Sequence, residues 1–85
     1  MRIDDIKVGM TVVCREKHTE GRLFWDEEEM DNLVGRPLIA FCVEKDAWTE
    51  VLAYSAEDYP DFDPDKDEFH GFLAEWLEPW EEEQS

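Results

Sequence analysis

Basic residues are scarce in this chain, and their scarcity excludes a first class of function. Among 85 residues there are 8 Lys and Arg against 24 Asp and Glu, which gives a formal net charge of −16 at pH 7. Proteins that bind nucleic acid directly need Lys and Arg to neutralise phosphates. The composition therefore predicts no direct nucleic-acid binding, and it indicates partners that present a basic surface.

Long hydrophobic runs and paired cysteines are also missing. No stretch approaches the roughly 18 consecutive apolar residues of a membrane span. Residues 1–5 lack the basic and apolar pattern of a signal peptide, and Cys14 and Cys42 show no Cys-x-x-Cys spacing. We therefore expect no membrane association and a reducing, cytoplasmic location, which is the host cytoplasm if a phage encodes the protein.

Catalytic signatures are absent as well. The four glycines are too scattered for a phosphate-binding loop, and no Gly-x-Ser-x-Gly turn surrounds either serine. A cysteine nucleophile needs positive surroundings that stabilise its thiolate, whereas this chain provides negative charge. Carboxylates are numerous, but no pair of them stands out. The sequence therefore predicts a protein that is not an enzyme.

Two groups of side chains have the types of atom that bind metal ions. The alternate aspartates of residues 61–67 match four ligand positions of a calcium loop, but Lys66 and Phe72 stand where that loop needs its Gly and its bidentate Glu. Of the possible zinc ligands, Cys14 and His18 are suitably spaced, whereas Cys42 and His70 are isolated. We therefore expect neither a metal ion nor a cofactor.

Apolar and aromatic residues are present in amounts that favour a folded protein. They make up 42% and 13% of the chain, and the aromatics include four Trp. A disordered acidic chain would contain far fewer. The sequence predicts a single domain over residues 1–80, followed by an acidic, frayed tail over residues 81–85.

Extended segments dominate the sequence pattern. Residues 8–15 alternate between two sets of side chains, which is typical of a half-buried strand. Residues 38–44 form a nearly continuous apolar run, which predicts a central strand, and residues 47–54 and 69–76 predict two more. Pro79 is expected to end a tight turn.

Shorter signals mark a helix and two loops between these strands. Asp26 is a predicted helix N-cap, and Gly35 is a predicted C-cap two turns later at most. Residues 16–25 are expected to form a folded-back loop. Residues 55–68, with two prolines and many acidic residues, are expected to form a long acidic loop.

Three short motifs carry a resemblance. The opening Val-Gly-Met-Thr-Val of residues 8–12, the Met-Asp-Asn-Leu-Val-Gly of residues 30–35 and the closing Glu-Trp-Leu-Glu-Pro of residues 75–79 resemble small SH3-like barrel proteins of phages and bacteria. In that layout the first motif opens the barrel, the second is a helical turn before a central hairpin, and the third is a closing helical turn.

The resemblance implies a mainly β fold: a small SH3-like barrel or curled antiparallel sheet with one short helix and a long acidic loop. It implies no catalytic residues. The chain departs from the layout at residues 58–68, which form a longer and more acidic insertion than such barrels usually carry.

Negative charge is concentrated towards the end of the chain. Residues 51–85 contain 12 acidic residues and one basic residue, whereas residues 1–50 contain 12 acidic and 7 basic residues. Along an extended segment, alternate side chains lie about 6.6 Å apart on one side. Aspartates of residues 61–67 would then form a row that imitates the phosphates of a DNA strand, which repeat about every 3.4 Å. Residues 27–31 and the glutamates of residues 78–83 form further clusters.

These observations lead to a functional hypothesis. The protein is expected to be an acidic protein-binding module, of phage or mobile-element origin, that docks on a basic, nucleic-acid-binding protein as a DNA-mimic inhibitor or regulator. Its oligomeric state stays open, and the acidity alone is equally explained by solubility. The expected partner-binding residues combine carboxylates with exposed aromatics: Asp61, Asp63, Asp65, Asp67, Glu27, Glu28, Trp25, Tyr59, Phe62 and Trp80.

An SH3-like adaptor is the alternative hypothesis. SH3-like domains bind proline-rich peptides in an aromatic groove. The candidate groove residues are Phe24, Trp25, Trp48, Tyr54, Tyr59 and Trp80.

Overall fold

The computed structural model describes residues 1–19 and 23–80. Within these residues, five strands form a single antiparallel sheet. The strands are β1 (Thr11–Cys14), β2 (Leu38–Val43), β3 (Val51–Ser55), β4 (His70–Phe72) and β5 (Leu77–Pro79). The predicted frayed tail, the glutamates of residues 81–83 and the centre of the predicted loop of residues 16–25 lie outside the described residues.

The sheet is open, with the strand order β4-β3-β2-β1-β5. The apolar run of residues 38–44 is therefore the central strand, as predicted. The mainly β class is also confirmed. Three 3₁₀ helices, Ile3–Asp5, Met30–Leu33 and Ala74–Trp76, complete the regular structure of the described residues. The sequence predicted one short helix, whereas the described residues contain three. No described helix has the length and apolarity needed to cross a membrane.

The two faces of the sheet differ in composition. The face that we call inner carries small aliphatic side chains of the central strands, and Leu38, Ala40, Val51 and Ala53 have no solvent exposure. Met30 and Leu33 of the second 3₁₀ helix belong to the same buried cluster, as do Trp25 and Trp76. The core therefore lies between the inner face and this cover of short helices and indole rings.

The outer face carries larger and more exposed side chains. Ile39 pairs with Tyr54 there, and Cys42 pairs with Leu52. The register between β2 and β3 shifts between Ala40 and Cys42, which indicates a bulge at Phe41. The ring of Phe41 lies 5.9 Å from that of Tyr54. The outer face is therefore an aromatic surface.

The first strand is shorter and more buried than predicted. It begins at Thr11, because Gly9 takes a φ of +92°, which ends any extended backbone before it. Val12, Val13 and Cys14 all have no exposure, so the prediction of a half-buried strand was wrong. β1 also has a neighbouring strand at each edge, since it pairs with β2 on one side and β5 on the other.

The predicted helix is a turn followed by a 3₁₀ helix. The backbone N–H groups of Glu28 and Glu29 donate to Asp26 Oδ1 at 3.0 and 3.4 Å, so Asp26 caps the turn. The N-cap of the 3₁₀ helix itself is Glu29 rather than the predicted Asp26. Gly35 has a φ of +82°, a left-handed conformation that suits the predicted C-cap glycine. No α-helix forms between these two signals, where a turn over residues 27–29 leads into the 3₁₀ helix Met30–Leu33.

Two other predicted strands are shorter than expected. The third begins at Val51 rather than at residue 47, and the fourth ends at Phe72. Ala74 then starts a 3₁₀ helix, and its N–H donates to Glu50 Oε1 at 2.9 Å. The tight turn predicted before Pro79 was wrong, because Leu77–Pro79 is a strand and Leu77 pairs with Cys14.

Candidate functional site

A polar pocket lies between the second 3₁₀ helix and the ends of β3 and β4. Its cavity measures about 170 Å³. Glu28 and Glu29 line it from the capped turn, and Asp58 and Glu68 line it from the connection between β3 and β4. Two acidic clusters that are far apart in sequence therefore meet around one cavity.

Three side chains in this pocket bring metal-binding atoms together. Glu29, Glu68 and His70 each offer one such atom, and these atoms all lie within 4.8 Å of one another. His70 Nε2 lies 3.4 Å from Glu29 Oε2. The imidazole is held at the start of β4, where His70 pairs with Ala53, and its side chain is only 16% exposed.

Arg36 fixes one wall of the pocket. Its Nη2 donates to Asp58 Oδ1 at 3.0 Å and to Ser55 Oγ at 3.2 Å, and its Nε donates to Glu57 Oε1 at 3.3 Å. The hydrogen bond from Arg36 holds the pKa of Asp58 below its usual value. Arg36 directly follows Gly35, so its contacts tie the beginning of the β3–β4 connection to the end of the capped segment.

The electrostatic environment of the pocket is negative. Partial burial raises the pKa of Tyr59, and the charges of Glu68 and Asp58 raise it further. Negative charges disfavour the phenolate, so the shift has the direction that an acidic pocket produces. A cation that enters the pocket is therefore attracted by carboxylates from both of its sides.

The predicted row of aspartates does not exist as a row. Residues 64–66 form a turn, in which the N–H groups of Lys66 and Asp67 donate to the Asp63 carbonyl at 3.0 and 2.8 Å. Asp65 N–H donates to Asp63 Oδ1 at 2.9 Å, and Asp63 N–H donates to Asp67 Oδ2 at 3.0 Å. Aspartate carboxylates bind nearby backbone N–H groups, which favours turns over extended structure. The extended geometry predicted for Asp61 to Asp67 was therefore wrong.

Two aromatic residues that were predicted to contact a partner pack against other side chains of this protein instead. Trp25 is only 5% exposed, so its predicted exposure was wrong. Its Nε1–H donates to Asp31 Oδ1 at 2.7 Å, and its ring packs against that of Trp76. Phe62 stacks on Tyr54 with ring centroids 3.8 Å apart. Burial of an indole with its N–H satisfied explains why acidic neighbours did not keep Trp25 at the surface.

The remaining predicted residues are at the surface or partly buried. Glu27 is exposed and pairs with Lys17 at 3.1 Å, while Tyr59 and Trp80 are half-buried. The backbone N–H of Trp80 donates to the Thr11 carbonyl at 3.1 Å and so continues the contact between β5 and β1. Trp48 is 63% exposed, as the adaptor hypothesis requires of a groove residue.

Among the described residues, Cys14, His18 and Cys42 belong to no group of three metal-binding side chains. Cys14 is buried, and this burial raises the pKa of its thiol to about 11. Its Sγ donates to the Glu16 carbonyl at 3.1 Å. A thiol in this state is a poor nucleophile and a poor metal ligand. His18 stacks on Trp76 with centroids 4.9 Å apart, whereas His70 lies in the pocket.

Sequence reasoning missed the group of Glu29, Glu68 and His70. Glu29 belongs to a run of glutamates that reads as a solvated first turn, and His70 stands alone among acidic residues. The three residues come together only because β4 is placed beside β3 and the second 3₁₀ helix lies next to both. A motif search along the chain cannot detect such a contact.

The fold and the pocket together define a small acidic β-sheet protein. No known protein family, curated protein or solved structure matches the chain. What the protein does has to be inferred from the side chains that its fold brings together.

Proposed function

We propose that this protein is a non-enzymatic, cytoplasmic binding module that docks on a basic protein surface. One observation carries the proposal: carboxylates of the capped turn and of the β3–β4 connection line the same pocket. In its sharpest form, the proposal is that the protein occupies the nucleic-acid site of a basic partner and acts as an inhibitor or regulator of it.

The shape of the pocket determines how the protein would imitate DNA. A straight row of aspartates would imitate the regular spacing of phosphates, whereas the turn at residues 64–66 removes that spacing. The pocket instead offers a concave acidic site for a Lys or Arg side chain of the partner. Glu28 lines the pocket and Glu27 precedes it in the chain, and both side chains are exposed. Their charges would accelerate the encounter and make binding sensitive to salt.

An SH3-like layout is part of the same proposal. Two features support it: β1 lies between β2 and β5, and the Ala74–Trp76 helix directly precedes β5. The adaptor alternative has less support than docking of the acidic pocket. Trp25 is buried and Tyr54 is stacked on Phe62, so these members of the candidate groove are not free to receive a peptide.

The proposal is tested by capture of partners from a native lysate at low and high salt. We expect a nucleic-acid-binding protein to be retained at about 0.05 M salt and lost at about 0.5 M, where charges are screened. Added duplex DNA should displace the captured partner from this protein. The variant Glu27→Gln with Glu28→Gln should retain several-fold less of it.

The matched control changes the same amount of charge elsewhere. Glu44→Gln with Glu75→Gln removes two exposed carboxylates that do not line the pocket. Equal losses in the two double variants would show that bulk charge is responsible. A complex that resists both salt and DNA would overturn the proposal.

A further inference from the structure

We propose that Glu29, Glu68 and His70 form a binding site for a divalent transition-metal ion, with Zn²⁺ as the first ion to test. The inference goes beyond the docking proposal, because it concerns the free protein and an ion, although both proposals use the same pocket. It also differs from both metal sites that the sequence suggested, since neither of those included a glutamate.

Geometry is the first argument. A tetrahedral zinc site holds its ligand atoms about 2.0–2.2 Å from the ion, so any two ligand atoms lie about 3.4 Å apart. The contact between His70 Nε2 and Glu29 Oε2 already measures 3.4 Å. All three ligand atoms lie within 4.8 Å of one another, and the side chain of Glu68 is exposed.

Ligand chemistry selects the class of ion. One imidazole nitrogen and two carboxylate oxygens suit borderline ions such as Zn²⁺, whereas Ca²⁺ and Mg²⁺ prefer oxygen ligands alone. Three protein ligands leave a fourth position for water. The cavity of about 170 Å³ has room for it, since one water occupies about 30 Å³ of liquid.

Charge is the third argument. Glu29 and Glu68 place two carboxylates beside one imidazole. Among the described residues, Arg36 is the basic side chain that lines the pocket, and it contacts Asp58 at 3.0 Å. A doubly charged ion would neutralise the pair of glutamates and satisfy the imidazole at the same time.

Titration of the full chain with Zn²⁺ by calorimetry tests the site. We expect one saturable site per chain. Glu68→Gln, Glu29→Gln and His70→Gln should each weaken binding by at least about 10-fold, because each removes a ligand. Glu75→Gln is the matched control, since it removes the same charge from an exposed carboxylate that lies outside the pocket and outside the group. Its affinity should stay within about 3-fold of the parent.

Several results would overturn the site. They are the absence of a saturable site, an equal loss in Glu75→Gln and Glu68→Gln, and Ca²⁺ binding as tight as that of Zn²⁺. Cobalt provides a further check, because a thiolate charge-transfer band would show that Cys42 or Cys14 is the ligand instead. Circular dichroism of the metal-free variants verifies folding. Glu68 is exposed, so its variant keeps the test decisive even if His70→Gln unfolds.

Failure of this test and failure of the docking proposal are distinguishable. The metal titration uses the isolated chain and the residues Glu29, Glu68 and His70, whereas the capture experiment uses Glu27 and Glu28. Either result can be positive without the other.

Discussion

The two faces of the sheet have different compositions and different tasks. The inner face is built from aliphatic side chains without exposure, such as Leu38 and Val51, and is sealed by short helices and indoles. The outer face carries aromatic rings, with Phe41 and Tyr54 from the sheet in contact with Phe62 and Phe69 from the β3–β4 connection. One face closes the core, and the other holds an acidic connection in place.

This difference explains how the pocket is positioned. The connection between β3 and β4 supplies Asp58 and Glu68 to the pocket, yet it contains no described helix or strand of its own. Its position depends on Arg36 at its beginning and on the stack of Phe62 on Tyr54 near its middle. The outer face therefore determines the site, although it contributes less to the core.

The largest effect should come from truncating a ring on the inner side. Phe72 has no exposure and pairs with Val51, so Phe72→Ala should lower the free energy of unfolding by about 3–5 kcal/mol. Phe69→Ala is the control. Because Phe69 is 37% exposed, its truncation should lower the free energy of unfolding by only about 1 kcal/mol. Urea unfolding measures both. Equal losses would mean that the two faces contribute alike.

A smaller effect is expected from the aromatic stack on the outer face. Phe62→Ala removes the ring that lies 3.8 Å from Tyr54, and should lower the free energy of unfolding by about 1 kcal/mol. Amide hydrogen exchange should accelerate in residues 56–69 and stay unchanged in β1 and β2. Phe24→Ala, at a ring that is 79% exposed, should change neither measurement. Uniform acceleration across the sheet would contradict the separate tasks of the two faces.

The last effect depends on pH and concerns the two cysteines, which lie on opposite faces. Burial raises the pKa of Cys14 from the usual 9.0 to about 11, so the unfolded chain ionises first as pH increases. The contribution of Cys14 to stability is complete below pH 9.0 and is lost as pH rises towards about 11.

Chemical unfolding across that pH range measures this contribution. The alkaline loss should persist in Cys42→Ala and be reduced in Cys14→Ala. If both variants retain the full loss, another group is responsible for it.

Local signals were sufficient to predict much of the fold. The apolar run of residues 38–44 indicated the central strand, and Asp26 and Gly35 marked the ends of the helical segment, because each signal acts through neighbouring residues. The depth of Trp25 was not predictable in this way. Its burial depends on Asp31 as an acceptor and on Trp76, which comes from the other end of the chain.

The site was less predictable than the fold. Alternating aspartates indicated an extended row, but their carboxylates bind backbone N–H groups within the same segment and produce a turn. The group of Glu29, Glu68 and His70 depends on the order of the strands, which no local pattern encodes. Composition did indicate an acidic surface, and the structure adds where parts of that surface converge.

The short strands at the ends of the sheet have a consequence for self-association. β4 and β5 each span three residues, and β5 ends in Pro79, which has no N–H to donate. A neighbouring molecule that tried to extend the sheet would find few backbone groups to pair with. This protection does not depend on charge, so edge-to-edge aggregation should remain disfavoured even when salt or acid suppresses the repulsion between chains.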